Sequence, residues 1–385
     1  MTDVISGEAV PGREAVPGRE AVPTGEAVPS REAVVFDRIE AFRRRKPRLA
    51  DSVVTLAHGA GGKASAALFE SVFLPAFANE ALLAQDDGAT LMLPGGDRLA
   101  FSTDSYVVHP LRFPGGSAGE LAVHGTINDL AMMGARPLGL SAAFVLEEGF
   151  PIDELRSLVD EMGAAAAAAG VPIVTGDTKV VEHGAADGMY ITTAGVGIIP
   201  EGRKLSAGRV RDGDLVLCSG TIGDHGTAVM LARGDLALEA SIESDTVPLH
   251  SLVECLLESA PSTRWMRDAT RGGVATVCNE LARDANMTVV LQETSLPVRP
   301  AVAAASELLG IDPLYVANEG KFVAVVAPEE ARGALQAMRG HPFGAEAALI
   351  GEIRVEPPGL VVLVTPMGGT RIVDMLVGDP LPRIC

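Results

Sequence analysis

Short apolar runs of strand length alternate with stretches carrying helix start and stop signals from about residue 49 to residue 200, and the alternation restarts after residue 206. Such a chain is confined to layered α/β architectures, because each apolar strand face needs a helix or a second sheet to cover it. The strand-like runs fall at 99–102, 140–146, 173–175 and 190–199. Between them, Ser117-Ala118-Gly119-Glu120 is a capping-box pattern that predicts a helix running to about Met133 and stopping at Gly134. Pro151, with Asp153 and Glu154 in the first turn, predicts a second helix ending near Gly170. Residues 201–206 read as a hinge, followed by a strand at 214–219, glycines at 220, 223 and 226, helices near 249–259 and 274–284, and strands at 322–326 and 360–365.

The expected organisation is an extension over 1–45, one α/β domain over 46–204, a second over 205–370 and a mobile tail over 371–385 carrying Cys385. Residues 7–34 repeat Glu-Ala-Val at a six-residue period, with units starting at Glu8, Glu14, Glu20, Glu26 and Glu32. Recurring proline prevents a continuous helix there, and one valine per unit offers too little apolar surface to offset ordering entropy, so the extension is expected to be disordered. The basic run Arg43-Arg44-Arg45-Lys46 reads as a solvated linker. In the tail, Asp379-Pro380-Leu381-Pro382-Arg383-Ile384-Cys385 has two prolines and no helical or strand pattern. Proline stiffens such a segment, and from Arg371 onward it could span about 50 Å at roughly 3.3 Å per residue. A thiol on a semi-rigid arm suits a carrier of a covalently attached group; a frayed end that happens to finish in cysteine is the plainer alternative.

The formal charge of −19, from 31 basic and 50 acidic residues, argues against a nucleic-acid partner. The longest apolar stretch, near 162–174, is alanine-rich and broken by Gly170 and Pro172, so no membrane span is expected. Nothing at the N-terminus has the form of a secretory signal, and a cytoplasmic location is expected. The four cysteines, Cys218, Cys255, Cys278 and Cys385, have neither metal spacing nor a disulfide framework.

The densest chemical signal is acidic residues beside small, loop-forming neighbours: Asp86-Asp87-Gly88, Ser102-Thr103-Asp104, Asn128-Asp129, Gly176-Asp177-Thr178 and Arg267-Asp268-Ala269-Thr270. Loop carboxylates can hold Mg2+ while the adjacent backbone approaches a phosphate, although any one such site is more often a turn. Asp177 is the least easily dismissed, since it follows a strand and precedes Lys179. His58-Gly59-Ala60-Gly61-Gly62-Lys63 opens a predicted helix, so its amides and Lys63 could cover phosphates; it is not a Walker A loop, because Ala57 and Ala64 stand where that motif needs Gly and Ser/Thr. Arg271-Gly272-Gly273, before the helix near 274, has the same logic. His124 and Asn128 share a helix face, with His124 read as an interior residue. Asp224-His225 fits either a site mouth or a turn, and Glu319 of Asn318-Glu319-Gly320-Lys321 either a general base or a turn.

Read together, these segments resemble the HypE hydrogenase-maturation family, carbamoyl dehydratases that make the cyanide ligands of nickel–iron hydrogenases. The match runs from about residue 50 to Cys385 and is carried by 58–63, 102–108, 124–135, 175–181, 223–226, 266–273, 317–321 and the closing Pro382-Arg383-Ile384-Cys385. The acidic and glycine loops alone would fit the wider superfamily of aminoimidazole ribonucleotide synthetase (the PurM-like fold), selenophosphate synthetase and thiamine monophosphate kinase, and the terminal cysteine selects the branch. The resemblance implies an α/β (α+β) fold of two AIR synthetase-like domains, the first pairing its sheet with that of a second subunit into a barrel. It implies ATP and Mg2+, a carbamoyltransferase that loads Cys385, and iron-carrying scaffold proteins that accept cyanide. Carried over, the catalytic set is Cys385, Lys179, Glu319 and His225, with Lys179 beside Glu319. The nucleotide set is Lys63, Gly61, Gly62, Asp104, Asn128, Asp177, Thr178, Arg271 and Gly272, and the metal set is Asp86, Asp87, Asp104, Asp129, Asp177 and Asp268. Two other readings stand beside it: a small-molecule kinase or synthetase of the superfamily, and a non-enzymatic scaffold whose tail docks on a partner.

Overall fold

The computed structural model describes residues 49–234, 241–376, 378 and 383–385. The expectations for the repeat, the basic run and the prolines of the tail lie outside those residues. The chain from 47 onward is one compact unit, described here.

Its first half runs α1 (Lys63–Leu68), short helical segments to residue 83, β1 (Ala89–Met92), β2 (Arg98–Tyr106), the small ribbon β3 (Arg112–Phe113) and β4 (Gly116–Ser117), then α2 (Ala118–Met132), β5 (Arg136–Glu147), α3 (Ile152–Ala169), β6 (Ile173–Val181) and β7 (Met189–Ile199). The strands form a five-stranded sheet ordered β1-β2-β7-β5-β6, antiparallel except for the β5–β6 pair joined through α3. Ser117 caps α2, its hydroxyl accepting from the Glu120 amide at 3.4 Å. Almost every residue of α2 is buried, and Gly119 and Gly125 allow the Leu158 carbonyl and the Tyr106 ring to lie against the helix where a Cβ would collide. α3 packs Leu158, Met162, Ala165, Ala166 and Ala169 inward, and ends at Gly170, whose φ of 69° is the left-handed cap that glycine adopts without strain.

Both helices lie on one face of this sheet, where Thr193 bonds to Thr126 and to the Ala122 carbonyl. The other face carries the exposed residues Phe101, Thr103, Ser105, Thr192 and Asp177, and no described residue covers it.

The second half runs β8 (Leu215–Cys218), α4 (Asp224–Ala232), α5 (His250–Ser259), β9 (Trp265–Asp268), α6 (Gly273–Ala285), β10 (Thr288–Gln292), α7 (Pro300–Leu309), β11 (Phe322–Val326), α8 (Pro328–Arg339), β12 (Ala348–Arg354), β13 (Leu360–Val364) and β14 (Thr370–Ile372). Its seven-stranded sheet is ordered β14-β13-β10-β12-β8-β11-β9. One face packs on Val274, Val277, Cys278 and Leu281 of α6, the other on α5 and α8. β11 is therefore buried on both faces, the reason its sequence is an unbroken apolar run. Ala131 and Met132 of α2 join the α5–α8 cluster, so the two sheets share one packed seam.

The tail departs from its expected form at its start. Thr370–Ile372 pairs with β13 across the Gly368-Gly369 turn, and Val373 is fully buried, so backbone pairing rather than free reach governs residues 370–373. Among the described residues no helix is long and apolar enough to cross a membrane.

Candidate functional site

Carboxylates from both halves converge along the seam. Asp104 stands on β2, Asp129 on α2, Asp87 on the loop before β1 and Asp268 at the end of β9. Burial pushes all four above the usual carboxylate range, Asp87 to about 6 and Asp129 and Asp268 well up, and Asp129, Asp268 and Asp87 add mutual repulsion. Asp86 lies at the solvent edge of the group. The opposing charges are Arg267, 3.0 Å from Asp87 and bonded to Glu280 at 2.6 Å, and Arg271. Ser102 donates to Asp129 at 2.5 Å and so fixes its direction.

The glycine-rich loop reaches the same place. Arg271 donates to the Gly59 carbonyl at 2.9 Å, and its Cβ lies where a side chain at Gly61 would have to go. Gly272, with φ 77°, is the N-cap of the thirteen-residue α6, whose first amides are free of intrahelical partners. Gly61, Gly62, Lys63, Arg271 and Gly272 thus meet, as an anion site requires. Lys63 is shared with Asp374 at 3.1 Å.

Glu319 is buried between these groups and the second sheet. Burial, then Asp268, Asp104 and Asp245, hold its carboxyl well above the normal range, against the lowering pull of Arg271. Its Oε1 has no hydrogen-bond partner. Cys385 is 8% exposed and packs in the first-half core beside Tyr106 and Val108. The segment before it is zipped to the chain after β2: Val107 N donates to a main-chain carboxylate oxygen of Cys385 (3.1 Å), His109 N to the Arg383 carbonyl (3.3 Å), Arg383 Nε to the Val107 carbonyl (3.0 Å), and Arg383 Nη1 to Asp187 (2.5 Å). Cys385, Asp104, Glu319 and Tyr106 all lie within electrostatic range of Arg271, and Cys385 is the largest contributor to its raised pKa. Cys385, a carboxyl of high proton affinity, a guanidinium and a phosphate-type cradle are therefore in electrostatic reach of one another.

Three expectations need correction. Asp177, Thr178 and Lys179 lie exposed on the edge strand β6, where Lys179 bonds to Asp177 at 2.6 Å rather than standing beside Glu319. Asp177 aligns with Ala143, Thr192 and Ser105 and so shares the uncovered face, while Asp104 aligns with Thr193 on the helix-covered face. Period-two alternation puts the two carboxylates on opposite sides of one sheet, and within one chain they cannot hold the same ion. Asn128 is committed to structure: its amide donates to the Val247 and Glu319 carbonyls (3.1 and 3.0 Å) and its oxygen accepts from Leu249 N at 2.7 Å. His225 is neither at a mouth nor in a turn but inside α4, fully buried, with Nε2 2.8 Å from the Ile384 carbonyl and Nδ1 2.8 Å from Ser244 Oγ. Burial lowers its pKa, so it is a neutral hydrogen-bonding group that holds the tail.

No three His, Cys, Asp or Glu side chains among the described residues already converge as a metal cage. Asp87, Asp104, Asp129 and Asp268 share the oxygen-only donor chemistry that a hard divalent cation prefers, and they repel one another. Sequence reading missed Arg267, although it stands next to Asp268 in the same motif. It also missed Asp245 and the Arg383–Asp187 pair, which no local pattern marks.

Residues 85–199 match the family described as AIR synthase related protein, N-terminal domain, and residues 211–363 match its C-terminal domain. The carbamoyl dehydratase HypE of Rhizobium leguminosarum bv. viciae is 52% identical over 348 residues, covering 90% of this chain and 99% of that protein. A HypE solved in complex with HypF superposes with a TM-score of 0.77 at 47% identity, covering 80% of this chain and 100% of that one. A HypE solved with ATP gives 0.72 at 46% identity, covering 86% and 100%.

Proposed function

The chain belongs to the carbamoyl dehydratase HypE family of AIR synthase related proteins, and from that premise we propose that it dehydrates a carbamoyl group carried on its own Cys385 sulfur, using ATP, to give a thiocyanate for the cyanide ligands of a nickel–iron hydrogenase. The observation that carries the reading is the burial of Cys385 within the electrostatic reach of Arg271, which Glu319 and Asp104 share.

The carbamoyl oxygen attacks the γ-phosphorus of ATP, the bond to the β-phosphate oxygen breaks, ADP departs and one nitrogen proton is lost. The sulfur then carries an O-phosphorylated imidate. Loss of the second nitrogen proton expels phosphate and leaves S–C≡N. Glu319 accepts that proton, supported by its free Oε1 and high proton affinity. Arg271 offsets charge at the oxygen and phosphate, and the Gly62 amide, Lys63 Nζ and the Gly272 end of α6 supply donors for the phosphates, while Gly61, its amide donating to Ser65 Oγ at 2.9 Å, shapes the loop. Asp87, Asp104, Asp129 and Asp268 would hold Mg2+, which when bound neutralises phosphate charge. Asp177, Thr178 and Lys179 enter the proposal as groups that the edge strand β6 of a second copy delivers, in a homodimer whose first-half sheets pair into a barrel.

We further propose a domain boundary at 204/205, a cytoplasmic location, loading of Cys385 by a carbamoyltransferase, and transfer to iron-carrying maturation scaffolds. The HypF-bound relative supports the loading step. A kinase acting on a free substrate has no use for a sulfur seated here. Intact-mass analysis tests the reading: the carbamoylated chain should lose water only when ATP is added. A Cys385→Ala protein that still yields nitrile-bearing product would overturn it.

A further inference from the structure

We propose that Ser244 and Asp245 are positioning residues that transmit docking of the Cys385 segment to the loop holding Glu319. The proposal rests on the reading of Glu319 as the base. A continuous series of bonds carries it. The Ile384 carbonyl can only accept, so His225 Nε2 bears the ring proton. His225 Nδ1 is then an acceptor and Ser244 Oγ–H its donor at 2.8 Å. The Ser244 backbone is held from outside this series, its amide donating to the Pro114 carbonyl at 2.7 Å.

The next residue, Asp245, has a side chain only 4% exposed. Its Oδ1 accepts from the Glu319 amide at 3.0 Å, and its Oδ2 lies 3.3 Å from Lys321 Nζ. Lys321 also donates to the Gly320 carbonyl at 3.0 Å. Gly320 lies flat against this strap, because a Cβ there would run into the Asp245 carbonyl oxygen. On the other side, Asn128 holds the Glu319 carbonyl. The backbone of Glu319 is thus fixed through both its amide and its carbonyl, while Oε1 is left open to a reactant.

Withdrawal of the tail removes the acceptor of a buried His225 N–H. An unpaired buried donor is costly, so the imidazole and its Ser244 contact rearrange, and Asp245 follows. The base is consequently set in place when the loaded sulfur is docked. Misplacement on the scale of an ångström is enough to matter in such a step.

The test is single-turnover loss of water from the carbamoylated full-length protein on mixing with ATP, with KM for ATP measured alongside. Asp245→Ala should slow the step by about 100-fold and leave KM within about twofold, because placement of the base is lost while the phosphate cradle is intact. Asp245→Asn keeps an oxygen for the Glu319 amide and should recover at least about tenfold of that loss. Ser244→Ala should cost about tenfold, and the Ser244→Ala/Asp245→Ala double variant should be no slower than Asp245→Ala alone, as for two links in one series. Asp245→Ala at the wild-type rate, equal rates for the Asn and Ala variants, or multiplicative losses in the double variant would each overturn the proposal. If Asp245→Ala does not fold, Asp245→Asn and Ser244→Ala decide: a wild-type rate in Ser244→Ala overturns it, as does a loss beyond about tenfold in Asp245→Asn. Glu319→Gln separates the two levels, since abolished turnover in that variant alone leaves the base in place and removes only the positioning role, whereas full turnover removes the reading beneath it.

Discussion

Asp177-Thr178-Lys179 and Glu319-Gly320-Lys321 are the same device on paper, an acid and a lysine separated by one residue. On β6 the pair is exposed, and the Lys179 hydrogen bond holds the Asp177 carboxyl below its usual range. In the loop before β11 the acid is buried, its lysine is taken by Asp245, and its carboxyl is held well above the usual range by burial and by Asp268, Asp104 and Asp245. Burial and the destination of the lysine, rather than residue type, decide which acid holds a proton more tightly.

The sharpest way to break that contrast is Glu319→Gln, expected to cost roughly 10²–10⁴-fold in dehydration with nucleotide binding retained, as befits removal of a general base. Within one chain the Asp177 carboxyl is exposed, so Asp177→Asn should leave the thermal midpoint of the monomer nearly unchanged. Between these extremes, Lys179→Ala mixed with Glu319→Gln should recover about a quarter of the wild-type activity if β6 serves the site of a second copy, a pairing that forms one intact site per mixed dimer; no recovery on mixing would leave Lys179 without a role at the site.

Gly320→Ala should lower stability by about 1–3 kcal/mol in chemical denaturation, since the strap backbone fills the space a Cβ needs. The equivalent change at Gly184, where nothing lies within 4 Å, meets no such contact, although its φ of 81° still strains an alanine.

The smallest effect is electrostatic. Asp87 is raised from 3.8 to about 6, so the folded chain keeps a proton that the unfolded chain releases. Its contribution is complete below the unfolded value and is lost as pH rises through about 6. Thermal midpoints at about pH 5 and about pH 7.5 should therefore differ less in Asp87→Asn than in wild type, and Mg2+ should narrow the wild-type gap from the high-pH side.

Local order was legible. The Ser117 cap fixed the start of α2, Pro151 and Gly170 bracketed α3, and the run at 322–326 is β11 to the residue. The charged helix α8 and the short strands β9, β12 and β14 were not foreseen. β9 and β12 draw their definition from hydrogen bonds to β11 and β8, which are distant in sequence, and β14 is a three-residue strand of exposed side chains that pairs locally with β13. Within the site, the acidic segments were visible but their setting was not: of the five, only Asp86-Asp87 lies in a loop, whereas Asp104 stands in β2, Asp129 in α2, Asp177 in β6 and Asp268 at the end of β9. Glu319 was picked out by its place before an apolar strand.

Sequence by itself determined the capped helices α2 and α3 and apolar strands such as β11, and which segments bring carboxylates, because hydrophobic period, caps and turn residues act over a few neighbours. Tertiary structure alone decided that Asp104 and Asp177 face opposite sides of one sheet, that Asn128 is spent on backbone, that His225 grips the tail, and that Asp245 stands behind Glu319. Those outcomes depend on contacts between residues far apart in the chain, where burial and the geometry of packing, rather than local preference, assign each polar group its partner.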